Sequence, residues 1–233
     1  MRNICTILAR GGSTGLKGKN AKILCGKPLI HYTIEQALEA NFFDIVVFSS
    51  DSDALLNIAS QIEGVELVKR PKEFADNVIS KRPGIKHAVE TMEKKYKYLF
   101  DNVIDLDPTS PLREVADIHN AFNQFVENGN DSLITAMPAR RSPSFNMVEL
   151  NDNNEVSLMI EPDIPITNRQ SAPVCYDMNA SIYVWKRNIL FSTDNLFLKK
   201  TGLYIMPEER SIDIDNAIDL EFVEFIMEKK NVK

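Results

Sequence analysis

The sequence is short of the residues that build disulfide scaffolds and zinc sites. Only Cys5, Cys25 and Cys175 are cysteines, an odd number with no CxxC spacing. Neither a disulfide framework nor a zinc cluster is indicated, and a reducing cytoplasm is the expected compartment. Histidine is equally scarce: His31, His87 and His119 fall in helical patterns without an HxxxH spacing, which suits surface or capping roles. Positive charge is not in excess, because 27 Lys and Arg face 33 Asp and Glu for a net −6. That balance argues against a dedicated nucleic-acid binder, although a local basic loop can still hold a small anion. Long apolar runs are missing too. The stretch from Ile4 to Ala9 is too short for a signal-peptide core or a bilayer span, and no other run is long enough, so no membrane association is expected.

What is present is the composition of a soluble α/β protein. Hydrophobic residues make up 44% and charged residues 26% of 233 positions, and a chain of this size buries roughly 70% of its unfolded surface without staples. Strand-like and helix-like segments alternate. Asn3–Ala9 is a nearly all-apolar strand of the kind buried on both faces of a parallel sheet. Leu29–Ala40 follows as a helix behind Pro28, then Asp44–Ser50 as strand, Ser52–Gln61 as helix and Val65–Val68 as strand. Pro83–Tyr96, Glu114–Glu127 and Ala217–Lys230 read as helices; Tyr98–Leu106, Ser132–Met137, Ala180–Trp185 and Leu203–Met206 read as strands. This rhythm predicts a mostly parallel sheet with ligand-binding loops at the strand ends. It breaks at residues 138–173, a polar stretch rich in Pro, Asn and Asp. There Phe145–Leu150 and Glu155–Ile160 could pair as a hairpin, either an interaction arm or a surface excursion. The α/β pattern resumes afterwards, which predicts one domain over 1–233 with an insertion. Trp185, ending an apolar strand, is expected in the core.

Three constellations carry chemistry. Glycine is scarce, with nine in the chain, yet Gly11, Gly12, Gly15 and Gly18 fall together in ARGGSTGLKGKN, Ala9–Asn20, with Arg10, Lys17 and Lys19. Glycines let backbone N–H groups face an anion and the cations add charge, so a phosphate cradle is favoured over a flexible basic loop. The spacing matches neither a P-loop nor GxGxxG. The second is DLDPTSPLR, Asp105–Arg113, stiffened by two prolines. Thr109, Ser110 and Arg113 offer donors there, or the hydroxyls simply cap the next helix. The third is SIDIDNAIDLE, Ser211–Glu221. Asp213 and Asp215 lie two apart in an extended stretch, so both carboxylates project to one face. They could share a hard cation such as Mg²⁺, or Asp215 could be a helix N-cap and Asp213 a solvated residue. Ser50 and Asp51 end the second strand, at the edge where such sheets bind ligands.

Together ARGGSTGLKGKN, RPKEFA (Arg70–Ala75), DPTSPLR, NASIYV (Asn179–Val184) and SIDID resemble the acylneuraminate cytidylyltransferases, the CMP-sialic acid synthetase family. The order and approximate spacing agree over nearly the whole chain. The resemblance implies a three-layer, Rossmann-like nucleotidyltransferase fold. It also implies CTP and a nine-carbon sugar acid as substrates, Mg²⁺ as cofactor and a homodimer. Read onto this sequence, Arg10, Gly11, Gly12, Ser13 and Lys19 would hold the triphosphate, and Asn20, Arg70 and Ser80 the nucleoside. Lys81, Asp107, Thr109, Ser110, Arg113, Arg169 and Asn179 would face the sugar, and Asp213 and Asp215 would hold the metal. Lys19, Arg10 and Asp213 would carry catalysis. The stretch 138–173 looks like the family's dimerisation arm, which reaches into the partner's site.

The chain departs from the N-acetylneuraminate pattern at several places. LDPTSPLR stands where many members read LQPTSPLR, so Asp107 replaces Gln. Ser80-Lys81 stands for Ser-Ser, Asp177 for an Arg, and Ala180 for a Gly. These changes look like the branch acting on legionaminic acid, a diamino relative of sialic acid. The expected order is therefore legionaminate first and N-acetylneuraminate second, with Lys81 pairing with the sugar carboxylate. The rival readings are a CMP-Kdo synthetase or other sugar nucleotidyltransferase, and a non-catalytic nucleotide-binding module.

Overall fold

A computed structural model describes residues 1–12, 15–74 and 80–231. The first strand, β1 (Asn3–Leu8), is buried along its full length, as its unbroken apolar run requires. Two short strands, β2 (Ile23–Leu24) and β3 (Lys27–Pro28), form a tight hairpin leading into α1 (Leu29–Glu39). Next come β4 (Ile45–Ser50), α2 (Asp53–Ala59), β5 (Val65–Lys69), α3 (Arg82–Tyr96), β6 (Asn102–Leu106), α4 (Val115–Glu127) and β7 (Ser132–Pro138). After β7 the chain leaves the sheet. It pairs β8 (Val148–Leu150) with β9 (Val156–Leu158), the hairpin expected from the sequence, and returns as β10 (Tyr176–Lys186). Then α5 (Arg187–Ser192), β11 (Thr201–Ile205) and α6 (Ala217–Asn231) complete the chain.

The main sheet has seven strands in the order β11-β7-β10-β6-β1-β4-β5. Only β10 runs against its neighbours. The excursion after β7 explains this. With no helix to carry the chain back to the sheet's far end, it re-enters where it left and must run the other way. Its register breaks between Met178 and Tyr183, where Ala180 adopts a positive φ of 52°. The sequence predicts this strand from Ala180, but it starts at Tyr176, four residues earlier, where the exposed Tyr176–Met178 pair with the end of β7.

Alternation along the strands fills two cores. Cys5 and Ile7 of β1, with Ile104 and Leu106 of β6, pack on the face covered by α1 and α4 through Ile30, Ile34, Ile118 and Phe125. Ile4 and Leu8, with Val103, pack on the opposite face against Ile85, Val89 and Met92 of α3 and Leu190 of α5. The result is the three-layer α/β architecture with a mostly parallel sheet. A third cluster seats Leu24, Leu29, Leu112, Ile214 and Val223 together, fastening α6 and the segment before it onto α1. His31 corrects one expectation. It is buried rather than on the surface, its Nε2 lying 3.0 Å from the Ile58 carbonyl.

Candidate functional site

The C-terminal ends of β1, β4 and β6 lie side by side in register, so the loops leaving them share one edge. Gly11 N–H donates to the Asp51 carboxylate (2.9 Å), which ties the glycine-rich loop to the end of β4. Asn20 is buried and donates its amide to the Arg10 carbonyl (3.2 Å), while its Oδ1 has no partner. Arg70 is buried; its Nη2 donates to the Ala9 carbonyl (3.1 Å) and lies 3.9 Å from Asp51. Ser13 lies outside the described residues. Gly12 has open space around it and Ser80 is exposed.

The aspartate tract meets this loop from the far end of the chain. Lys19 Nζ bonds Asp215 at 2.9 Å. A β-carbon on Gly15 would collide with the Asp215 carbonyl oxygen, so only glycine permits this approach. Ile214, fully buried between the two aspartates, anchors the tract, and its N–H donates to the Thr109 carbonyl (3.0 Å). Asn216, not Asp215, accepts the N–H groups of Ile218 and Asp219 at the start of α6. The N-cap alternative for Asp215 is thereby removed. Burial, with repulsion from Asp107 added, pushes the Asp213 pKa up to about 6 against the opposing pull of Thr109 and Lys19. Its Oδ1 is buried without a partner.

DLDPTSPLR supplies the floor. Asp107 Oδ1 accepts from Thr109 N–H (3.1 Å) and Thr109 Oγ1 (2.8 Å), and its Oδ2 accepts from Lys81. Lys81 also lies 3.7 Å from Asp105, whose other oxygen accepts from Thr6 Oγ1 (2.7 Å). Burial disfavours the Lys81 ammonium, yet Asp107 and Asp105 outweigh it and its pKa rises. Burial likewise pushes Asp107 up, but Lys81 and Thr109 bring it below the usual carboxylate range. For Asp105 burial wins and the pKa is raised. These groups close one end of a cavity of about 280 Å³ whose walls include Ile85, Tyr183 and Trp185. The two aromatic rings are stacked, 5.5 Å apart and 3° from parallel. Trp185 is thus in the core as expected and also lines the cavity. Asp105 and Tyr183, opposite each other across β6 and β10, escaped the sequence reading. Asp105 sits inside a strand, where only a charge amid apolar residues could have signalled it.

Five expected sugar contacts are already bonded or buried within the protein. Arg113 is 1% exposed and points inward. Its Nη1 donates to the Ser181 carbonyl (2.8 Å) and its Nη2 to Thr33 Oγ1 (3.1 Å) and Gln36 Oε1 (3.0 Å). It is a strut under the loop rather than a donor to a ligand. Burial brings its pKa down to about 10. Asn179 is also buried, its Oδ1 accepting from Thr135 (2.7 Å) and its amide donating to Ser211 Oγ (2.9 Å), which links β10 to the aspartate tract. Arg169 lies exposed on the excursion and donates to the Ala139 carbonyl (3.4 Å). Ser110 is fully buried with an unpartnered hydroxyl. Lys81, expected to pair with a sugar carboxylate, is bonded to Asp107 instead. Removing the guanidinium in Arg113→Ala strands several buried acceptors and opens a void, so unfolding in urea should show a loss of about 3–5 kcal/mol. A change below about 1 kcal/mol would reject the strut role.

Among the described residues no group of three or more His, Cys, Asp or Glu could hold a metal alone. Any cation here would draw part of its shell from a ligand or water. No helix among the described residues is long and apolar enough to cross a membrane.

Comparison with known proteins agrees with this layout. Residues 4–232 match the family model described as "Cytidylyltransferase". The chain is 43% identical to the CMP-N,N'-diacetyllegionaminic acid synthase of Campylobacter jejuni, covering 98% of this chain and 96% of that one. It is also 43% identical to the post-translational flagellin modification protein B of Campylobacter coli, covering 99% and 97%. It is 32% identical to the N-acylneuraminate cytidylyltransferase of Escherichia coli, covering 98% of this chain and 52% of that protein. Among solved structures, a CMP:2-keto-3-deoxy-manno-octonic acid synthetase complexed with CTP superposes with a TM-score of 0.72 at 19% identity, covering 99% and 100%. That likeness concerns the fold. With the family match spanning the glycine-rich loop, the DPTSPLR turn and the aspartate tract alike, this chain belongs to the cytidylyltransferase family.

Proposed function

We propose that the protein transfers CMP from CTP to the anomeric hydroxyl of a nonulosonic acid and releases pyrophosphate. Legionaminic acid is the favoured acceptor and N-acetylneuraminic acid the second. The observation that carries the reading is the convergence of three sequence-distant blocks, with Lys19 2.9 Å from Asp215 and Ile214 bonded to the Thr109 carbonyl, beside the cavity of about 280 Å³. The 43% identity with a CMP-N,N'-diacetyllegionaminic acid synthase supports the choice of acceptor.

Arg10, Lys19 and the N–H of Gly12 receive the triphosphate, where charge develops as the α-phosphorus is attacked, while the Gly11 N–H stays on Asp51 and holds the loop in place. The unpartnered Oδ1 of Asn20 accepts a hydrogen bond from the base, and Arg70 with Ser80 borders the nucleoside. The sugar acid occupies the cavity between Lys81, Asp107 and Tyr183. Displacement is in line: the sugar oxygen forms the new P–O bond as the bond to pyrophosphate breaks. Asp213, buried beside Asp107 and Thr109, serves catalysis through the cation it would hold. Asp213 and Asp215 fit a Mg²⁺ ion, since the former keeps a buried oxygen without a partner and the latter is largely exposed. When bound, such an ion neutralises charge on the phosphates.

The arm is the dimer contact. Val148, Leu150 and Val156 of its hairpin are 61%, 65% and 67% exposed, an apolar surface that a single copy leaves wet. Sedimentation should give twice 26.4 kDa, and Leu150→Asp with Val156→Asp should give the monomer and lose turnover as Arg169 is withdrawn from the partner's site. A monomeric wild-type enzyme with full activity would reject this. We place the activity in the cytoplasm, where CTP is made and free thiols persist.

The decisive experiment measures pyrophosphate release from CTP with legionaminic acid, N-acetylneuraminic acid and Kdo. Release with Kdo alone would move the protein to the rival synthetase. No release with any of them would leave a nucleotide-binding module. A strong preference for N-acetylneuraminic acid would reverse the order of acceptors.

A further inference from the structure

The two residues at which this chain departs most from the family pattern near the sugar, Lys81 and Asp107, are 26 positions apart and bonded to each other. We infer that they form one charge pair that selects a sugar acid bearing a second acylamino group; the inference rests on the function proposed above.

Two carboxylates, Asp105 and Asp107, stand behind a single ammonium. Neither carboxylate is comfortable without it, because buried like charges repel and each has been stripped of water. Asp107 is saturated: Thr109 supplies two donors to one oxygen and Lys81 fills the other. Asp105 is not, and its Oδ2 is buried with no hydrogen-bond partner. Lys81 has three N–H donors, of which Asp107 takes one, and its side chain is 41% exposed. Both residues line the cavity. So does Trp185, which is 3% exposed and whose Nε1–H is also without a partner.

The cavity therefore offers an unsatisfied acceptor, an unsatisfied donor and the flat faces of Tyr183 and Trp185. An acylamino group carries an N–H, a carbonyl and a methyl, and each finds its complement among them. A hydroxyl in the same place has no methyl for the aromatic wall and no carbonyl for the Trp185 donor. Unpaired buried polar groups are what make such a site reject the wrong ligand. Lys81 and Asp107 hold this arrangement together, since Lys81 balances both carboxylates and Asp107 fixes the ammonium in place.

The test measures kcat/KM for pyrophosphate release with N,N'-diacetyllegionaminic acid and with N-acetylneuraminic acid. It compares wild type, Lys81→Ser, Asp107→Gln, the double variant and Lys81→Arg, with the Tm of each recorded. Each single neutral substitution should lower kcat/KM for the diacetylated acid by about tenfold or more and move the ratio of the two acids toward N-acetylneuraminate. The double variant should lose less than the product of the two single losses, because either single change already breaks the pair, and Lys81→Arg should retain the wild-type preference. Should Lys81→Ser not fold, Asp107→Gln and Lys81→Arg decide, because both keep a cation beside Asp105. An unchanged ratio in the variants, or strictly multiplicative effects, overturns the inference alone. No release by the wild-type enzyme with either acid rejects the proposed function, and this inference with it.

Discussion

Asp213→Ala is expected to lower kcat by about a thousandfold while CTP affinity changes only a few-fold. The side chain is buried beside Asp107 and Thr109, with one oxygen that no protein group satisfies. Such a carboxylate raises the energy of the resting site, and the cost is recovered only when a cation or a proton arrives. Its contribution therefore falls on the step in which charge moves, rather than on nucleotide capture, which the proposed function gives to Arg10 and Lys19. Asp213→Asn keeps the volume and removes the charge, so it should resemble alanine in rate and wild type in Tm. Calorimetry of CTP binding alongside steady-state rates separates the two quantities. Turnover within threefold of wild type in the alanine variant would remove Asp213 from the mechanism.

Gly15→Ala should cost about a hundredfold in kcat although no functional group is lost. The added methyl meets a backbone carbonyl, that of Asp215, and backbone cannot step aside as a flexible side-chain tip can. Ile214 is pinned in the third apolar cluster and by its bond to Thr109, so the aspartate tract will not yield. The glycine-rich loop must move instead, and it carries Lys19 away from Asp215. The lesion is local, so the Tm should shift by only a few degrees. Wild-type kcat in this variant would show that the approach of loop and tract is incidental to catalysis.

Much of the architecture is legible in the residues. An uninterrupted apolar strand such as β1 can only be central, and the strand–helix rhythm leaves few topologies. The excursion at residue 138 was visible as a break in that rhythm. The direction of β10 was not, because reversal depends on where the excursion returns and leaves no local trace. Site residues divide the same way. The crowding of glycines and cations into eleven positions marks the loop, and the tract of Asp213 and Asp215 marks its partner, which the fold does bring together through Lys19 and Asp215. Arg113 reads as a ligand donor because nothing local says that Thr33, Gln36 and Ser181 will surround it. Lys81 and Asp107 each look like an isolated departure until the fold brings α3 against the end of β6. Asn216 displaced Asp215 as the helix cap through a one-residue offset that propensity alone cannot resolve.

The contact between Lys19 and Asp215, at 2.9 Å, gives the resting enzyme a latch made from its own working parts. While it is shut, the lysine is occupied and the charge of the exposed aspartate is balanced, so stray inorganic ions meet a weaker field. A polyphosphate long enough to draw the lysine away uncovers the carboxylate in the same motion. On the function proposed above, the first guest would prepare the berth for the second, and the affinities for nucleotide and magnesium would rise together.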